Sequence, residues 1–239
     1  MIIVNRYPFI VLFFLMMDKS FAQFPQGDKW YQNPLGFEPL KLHTSMGFIV
    51  PAAVAGTALL LTKKDSTLRD RLSIYSEMGV TFGYKYPYST LVQNSTGVNL
   101  MMRKWMSIGS EFSTTAPFDD YNNTVGFAIR PFARFYALNK PDWKLWFEAG
   151  GGMIYFMDNF PKPTTQDNRL GTYWNGTTKY GIGTSIHLKN NMDLLFGARH
   201  LHISNGNTKG AERNPAHDSN GLFAGLNWNL KKERNGKYK

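Results

Sequence analysis

From Leu72 onward the chain is written in alternation, and that period of two limits what it can become. Ile74, Ser76, Met78, Val80, Phe82 and Tyr84 fall on one side of an extended run, against Tyr75, Glu77, Gly79, Thr81, Gly83 and Lys85 on the other. Successive side chains of a strand point to opposite faces, so such a run reads as a strand with one apolar face. The pattern recurs around Val98–Met102, Met106–Glu111, Val125–Phe135, Leu145–Tyr155, Tyr180–His187, Leu194–Ala198 and Leu222–Leu230. Polar segments such as Pro117–Asn123 and Pro161–Arg169 separate the runs. Eight is the smallest strand number used by outer-membrane barrels, and the runs are long enough to cross a bilayer when tilted. The less apolar face carries Glu77, Arg130, Arg134, Glu148 and Arg199, charges able to pair inside a narrow barrel. A soluble eight-stranded barrel or sandwich with its apolar face inward fits the same alternation; run length favours the membrane. The expectation is an all-β fold, an eight-stranded antiparallel outer-membrane β-barrel over residues 72–230 with an N-terminal extension.

Ahead of the barrel, Arg6 supplies a charged start, Pro8–Met17 an apolar core and Ser20-Phe21-Ala22 a cleavage site. Residues 1–22 therefore read as a secretory signal peptide, too short in its apolar part to span a bilayer. Residues 23–71 form the extension. Within it residues 46–62 are apolar without alternation and contain Gly47, Pro51 and Gly56, read as a short helix on the membrane or the barrel, with an anchor as the alternative. After Leu230 the stretch 231–239 is a basic tail. With no cysteine, an exported chain has neither disulfides nor thiol ligands to stabilise it. A formal charge of +10 favours anionic partners, and export points to phosphorylated lipid or lipopolysaccharide rather than nucleic acid.

The chemistry concentrates at His202-Ile203-Ser204-Asn205. Residues two apart on a strand share a face at about 6.6 Å, close enough for an imidazole to reach a hydroxyl and take its proton. His202 and Ser204 continue the parity of Leu194, Phe196 and Ala198, the apolar side, which suggests a lipid substrate. A histidine base needs a third group to orient it, and two acids follow, Glu212 and Asp218. Asp218 shares the parity of Leu222 and Leu226, so it is the better placed, while Glu212 lies deep in a loop. Asn205 and Gly206 offer an oxyanion hole through backbone N–H groups or the asparagine amide. His200 and His202 also share a face, and His-x-His with His217, Glu212 or Asp218 is an alternative metal set. A histidine that merely ties down a loop is the plainest alternative.

The segment Phe196-Gly-Ala-Arg-His-Leu-His-Ile-Ser-Asn-Gly, with Asn214-Pro215 and Ser219-Asn220-Gly221 after it, resembles the lipid A 3-O-deacylase (acyloxyacyl hydrolase) family. The resemblance implies an eight-stranded outer-membrane barrel acting as a serine esterase on lipopolysaccharide, with no metal or other cofactor. Its His-x-Ser-Asn motif maps onto His202, Ser204 and Asn205, and its arginine onto Arg199. The family's acid is a glutamate, and aligning Asn214 puts the shorter Asp218 at that position. In that reading Ser204 attacks the ester joining a 3-hydroxyacyl chain to lipid A, His202 is base and then acid, and Asp218 orients His202. A non-catalytic small barrel, an esterase for other membrane lipids and a possible homodimer remain open at this point.

Overall fold

The computed structural model describes Gly56, Thr57 and residues 71–84 and 88–230. The expected signal peptide 1–22, the tail 231–239 and all of the apolar segment 46–62 except Gly56 and Thr57, which are helical, lie outside the described residues.

Eight strands follow one another: β1 Leu72–Gly83, β2 Thr90–Arg103, β3 Met106–Phe118, β4 Gly126–Asn139, β5 Trp143–Phe160, β6 Thr172–Lys189, β7 Met192–Ser204 and β8 His217–Asn229. Each pairs antiparallel with the next, and β8 returns to β1 from Ser73↔Asn229 to Gly83↔Ser219, so no edge is left unpaired. Several strands run beyond the sequence expectation: β2 begins at Thr90 rather than near Val98, and β8 at His217 rather than near Leu222. β3 continues through Pro117 to Phe118, and β6 begins at Thr172 rather than near Tyr180. The early half of β6 carries Trp174, Gly176 and Thr178 outward and Asn175, Thr177 and Lys179 inward; without an apolar face it shows no alternation to read.

The two ends of the barrel differ. Connections at Lys104-Trp105, Lys140–Asp142 and Asn190-Asn191 are tight, the last with φ of 52° and 60° at its two asparagines, the left-handed pair that a two-residue hairpin requires. At the other end lie the longer loops 119–125, 161–171 and 205–216. In barrels of this class the long loops face outward from the cell.

The faces sort as the alternation required. Met78, Ile129, Met153, Phe196 and Leu222 project outward and are exposed. Tyr88, Phe118, Tyr173 and Trp174 ring the long-loop end, and Trp143 and Trp228 the other, the two aromatic levels expected at membrane interfaces. Inside, three glutamates and four cations form one network. Lys179 Nζ lies 2.6 Å from Glu111, 2.9 Å from Glu148 and 3.6 Å from Glu77. Arg130 Nε donates to Glu111 at 2.7 Å, Arg134 Nε to Glu148 at 2.6 Å and Arg199 Nη2 to Glu77 at 2.6 Å. Arg134 also lies over the rings of Tyr75 and Trp146, and Arg199 over Phe223. Room for Arg199 comes from its register partner Gly181, where a Cβ would meet Arg199 Cα at 2.9 Å, while Gly221 on its other flank lets β8 close on β1, since a Cβ there would meet Thr81 Cα at 2.5 Å. Toward the long loops the filling turns apolar, with Leu91, Ala128, Ile154, Phe156, Phe160, Leu201 and Ile203 in one buried cluster. Packed charge below and packed hydrocarbon above leave a filled interior and stiffen the wall that carries β7 and β8.

Candidate active site

At the long-loop end of β7 and β8, several polar side chains interrupt the apolar outer face. His202 and Asp218 are register partners across these strands, with Ser204 two residues beyond His202 on the same side. His202 Nδ1 and Asp218 Oδ1 are 2.6 Å apart. Burial is graded along the row: Asp218 is buried, the His202 side chain is 26 % exposed, and Ser204 is half-buried. On the other flank Ser204 faces Gly176 of β6, whose missing side chain leaves that approach open.

The expected contact between His202 and Ser204 is not made. Ser204 Oγ instead donates to Asn214 Oδ1 at 2.9 Å and accepts from Gly206 N–H at 3.1 Å. The reason lies in the loop 205–216, which folds back so that Asn214 caps the strand end. Asn205 N–H donates to the same Asn214 oxygen at 3.1 Å, and Asn214 Nδ2 donates to Asn207 Oδ1 at 2.8 Å. Gly206 and Asn207 sit at φ of 62° and 61°, the left-handed conformation that Gly and Asn tolerate best. The side chain of Asn205 works within the loop: its Nδ2 donates to Arg213 carbonyl oxygen at 2.5 Å, and its Oδ1 accepts from Asn207 N–H at 3.0 Å. Its amide is therefore engaged, whereas Gly206 N–H donates to Ser204 Oγ and Asn205 N–H to the same Asn214 oxygen that accepts from the serine.

Glu212, the other acid considered, is exposed on a single 3-10 turn, Ala211–Arg213. Arg199 points into the barrel and pairs with Glu77. Of the histidines in the alternative metal set, His200 sits behind His202 against Asn220, and His217 is buried inside near Phe160. Among the described residues no three His, Asp or Glu side chains form a group able to hold a metal ion.

A neighbouring loop props this arrangement. Arg213 donates to the carbonyl oxygens of Leu170 and Gly171 at 2.8 and 3.0 Å, and Arg169 donates to that of Asn214 at 3.1 Å. Arg169 is itself forked onto Asp167, whose carboxyl is held below its ordinary range chiefly by the hydrogen bonds from that guanidinium. Asn214 entered the sequence reading only as the alignment point for the acid, and neither its contact with Ser204 nor these arginines were identified there. An Asn before a proline reads as an ordinary turn, and only the loop's fold-back reveals its reach.

The profile of one family, Lipid A 3-O-deacylase (PagL), matches residues 78–227, from the middle of β1 to the end of β8. The chain belongs to the lipid A 3-O-deacylase family. Membership makes it an outer-membrane protein, so the exposed apolar belt meets lipid and the loops 119–125, 161–171 and 205–216 lie on the external side. Its polar row on β7 and β8 therefore sits toward the external end of the barrel wall. Among solved structures the chain is similar to the outer membrane enzyme PagL, at 16% identity over 64% of this chain and 97% of that one, with a TM-score of 0.48. Neisserial surface protein A is similar at 12% identity over 66% and 96%, with a TM-score of 0.48. The N-terminal β-barrel domain of Pseudomonas aeruginosa OprF is similar at 13% identity over 68% and 100%, with a TM-score of 0.42. No curated protein matches the sequence. A homodimer of this deacylase-family chain finds no support in these likenesses.

Proposed function

We propose that the chain is a serine esterase that hydrolyses the ester joining a 3-hydroxyacyl chain to the 3-position of lipid A. The observation that carries this reading is the His202–Asp218 pair at 2.6 Å, set beside Ser204 on the lipid-facing side of the barrel rather than inside it. On the same outer face Ile182, Phe196, Ala198 and Leu222 line an apolar groove, a surface suited to an acyl chain.

In this mechanism Asp218 accepts the Nδ1–H of His202, which leaves Nε2 free to act as base. Ser204 Oγ turns from Asn214 to His202, gives up its proton and attacks the ester carbonyl carbon. As the tetrahedral intermediate collapses, the bond to the 3-oxygen of lipid A breaks and His202 returns the proton to that oxygen. Water, deprotonated by His202, then attacks the acyl-serine; the 3-hydroxy acid leaves and Ser204 is restored. Asn214 Oδ1 stands where a substrate oxygen would sit, since it accepts from both Ser204 Oγ–H and Asn205 N–H. When the substrate displaces it, Asn205 N–H becomes an oxyanion donor, and Gly206 N–H joins it once Ser204 Oγ has turned to His202. No cofactor enters these steps.

Mass spectrometry of lipid A from cells carrying the wild type or Ser204→Ala tests the proposal. The expected result is loss of one 3-hydroxyacyl chain in the wild type alone. Identical lipid A from both, with both barrels folded in the outer membrane, overturns it. Release of non-hydroxylated fatty acids would instead assign the esterase to other lipids.

A further inference from the structure

His200 lies two residues before His202 on β7 and has the same outward parity, yet it is fully buried. Its ring stacks on Tyr180 of β6 with centroids 4.7 Å apart, and Tyr84 lies 6.0 Å away on the other side. Its Nδ1 meets Asn220 Oδ1 at 2.9 Å. An amide oxygen only accepts, so Nδ1 carries a proton and Nε2 is the atom left to act elsewhere. That Nε2 has no hydrogen-bond partner and lies 3.6 Å from Asp218 Oδ1, the oxygen already bonded to His202 at 2.6 Å. The carboxylate thus stands between two imidazoles. One contact is a closed hydrogen bond; the other, at 3.6 Å, is a close approach of opposed groups and not a hydrogen bond in the resting arrangement.

We infer that His200 is a positioning residue for Asp218. This rests on the serine-esterase reading, in which Asp218 must stay charged and aimed at His202. A buried carboxylate is costly unless it is matched by hydrogen bonds or an opposite charge. The Asp218 side chain is also a methylene shorter than glutamate, so its direction depends on what surrounds it. His200 supplies that direction: Asn220 fixes its ring from behind, and its Nε2 edge bears on Asp218 Oδ1 at 3.6 Å, holding the carboxylate toward His202. It touches neither serine nor ester; it acts through the acid.

The two amide substitutions separate this role from simple packing. His200→Gln sets an N–H where Nε2 was, whereas His200→Asn keeps only the side facing Asn220. With the full chain in detergent micelles and lipid A as substrate, His200→Asn is expected to lower kcat roughly tenfold with KM unchanged. His200→Gln should stay within about threefold of wild type. In an Asp218→Asn background His200→Asn should add nothing, because the group it acts through is gone. Equal losses from both amides, or a full additional loss in that background, overturn the inference. Nitrogen-15 NMR of labelled histidines gives a readout independent of turnover: the His202 Nδ1 resonance should move in His200→Asn and not in His200→Gln. No movement in either variant also overturns it. Retained folding of each variant is read from the mobility shift between unheated and heated gels. Ser204→Ala, run alongside, keeps the two failures apart: turnover by that variant sinks the esterase reading, while its inactivity beside an indifferent His200 sinks only this inference.

Discussion

In the resting arrangement the Ser204 hydroxyl gives its hydrogen to Asn214 Oδ1, so the nucleophile's proton points at a loop amide and away from the base. A neutral carbonyl oxygen holds that position weakly enough for a substrate to displace it, at a net cost of about 1 kcal/mol per hydrogen bond exchanged. A carboxylate there would not leave as readily. Asn214→Asp places a charged acceptor before Ser204 Oγ–H and Asn205 N–H, strengthening the resting contact and repelling the developing oxyanion. Turnover by Asn214→Asp should fall about a hundredfold, and by Asn214→Ala clearly less, measured as kcat on lipid A. Equal losses from the two substitutions would mean that Asn214 serves the loop alone. Parity along β7 made His202 and Ser204 legible as a pair, and counting back from Leu222 brought Asp218 to their side. Nothing in the spacing revealed that Ser204 turns to Asn214, because that contact depends on left-handed turns at Gly206 and Asn207 that reverse the chain.

The two loops beside the site act as one element, since 161–171 holds 205–216 through Arg169 and Arg213. The tie has an electrostatic root. The Asp167 carboxyl is held below its ordinary value by Arg169, so its stabilising contribution is complete above the unfolded value of about 4 and is lost as pH falls through the lower, folded one. Both side chains are partly exposed, so the effect is modest and weakens with salt. Hydrogen exchange of the backbone amides in 205–216 should therefore quicken, relative to the strands, as acid protonates Asp167. Asp167→Asn should reproduce part of that at neutral pH. Exchange that is unchanged in Asp167→Asn would separate the two loops. Element by element, β1 and β4 were readable because lipid outside and packed filling inside demand opposite residues. The first half of β6 was not, since Trp174, Gly176 and Thr178 outside oppose Asn175, Thr177 and Lys179 inside. Lys179 was hidden for the same reason: in a polar stretch a lysine reads as solvated loop.

For the whole molecule, that hidden lysine is the centre of the barrel. Glu77, Arg130, Arg134, Glu148 and Arg199 were identifiable as inward charges, but as separate pairs; Lys179 joins Glu77, Glu111 and Glu148, which come from β1, β3 and β5, while it belongs to β6. Backbone ladders connect only neighbouring strands, so this side chain ties elements that the sheet alone leaves far apart around the ring. The network exists at a desolvation cost that its mutual attraction must offset, and the risk appears when one member is removed. Lys179→Met keeps the length and apolar stem of the side chain but leaves three carboxylates facing fewer cations. Barrel stability should fall by roughly 3–5 kcal/mol, read as a lower urea midpoint for unfolding from lipid vesicles. Glu111→Gln is destabilising alone because Arg130 and Lys179 both lose its carboxylate, and combined with Lys179→Met it should cost less than the sum of the two, since both substitutions remove the same Lys179–Glu111 contact. Such sub-additivity belongs to a coupled network and not to independent surface pairs. Additive losses in the double variant would show instead that each pair stands alone, and that neighbour-to-neighbour pairing is enough to close the barrel.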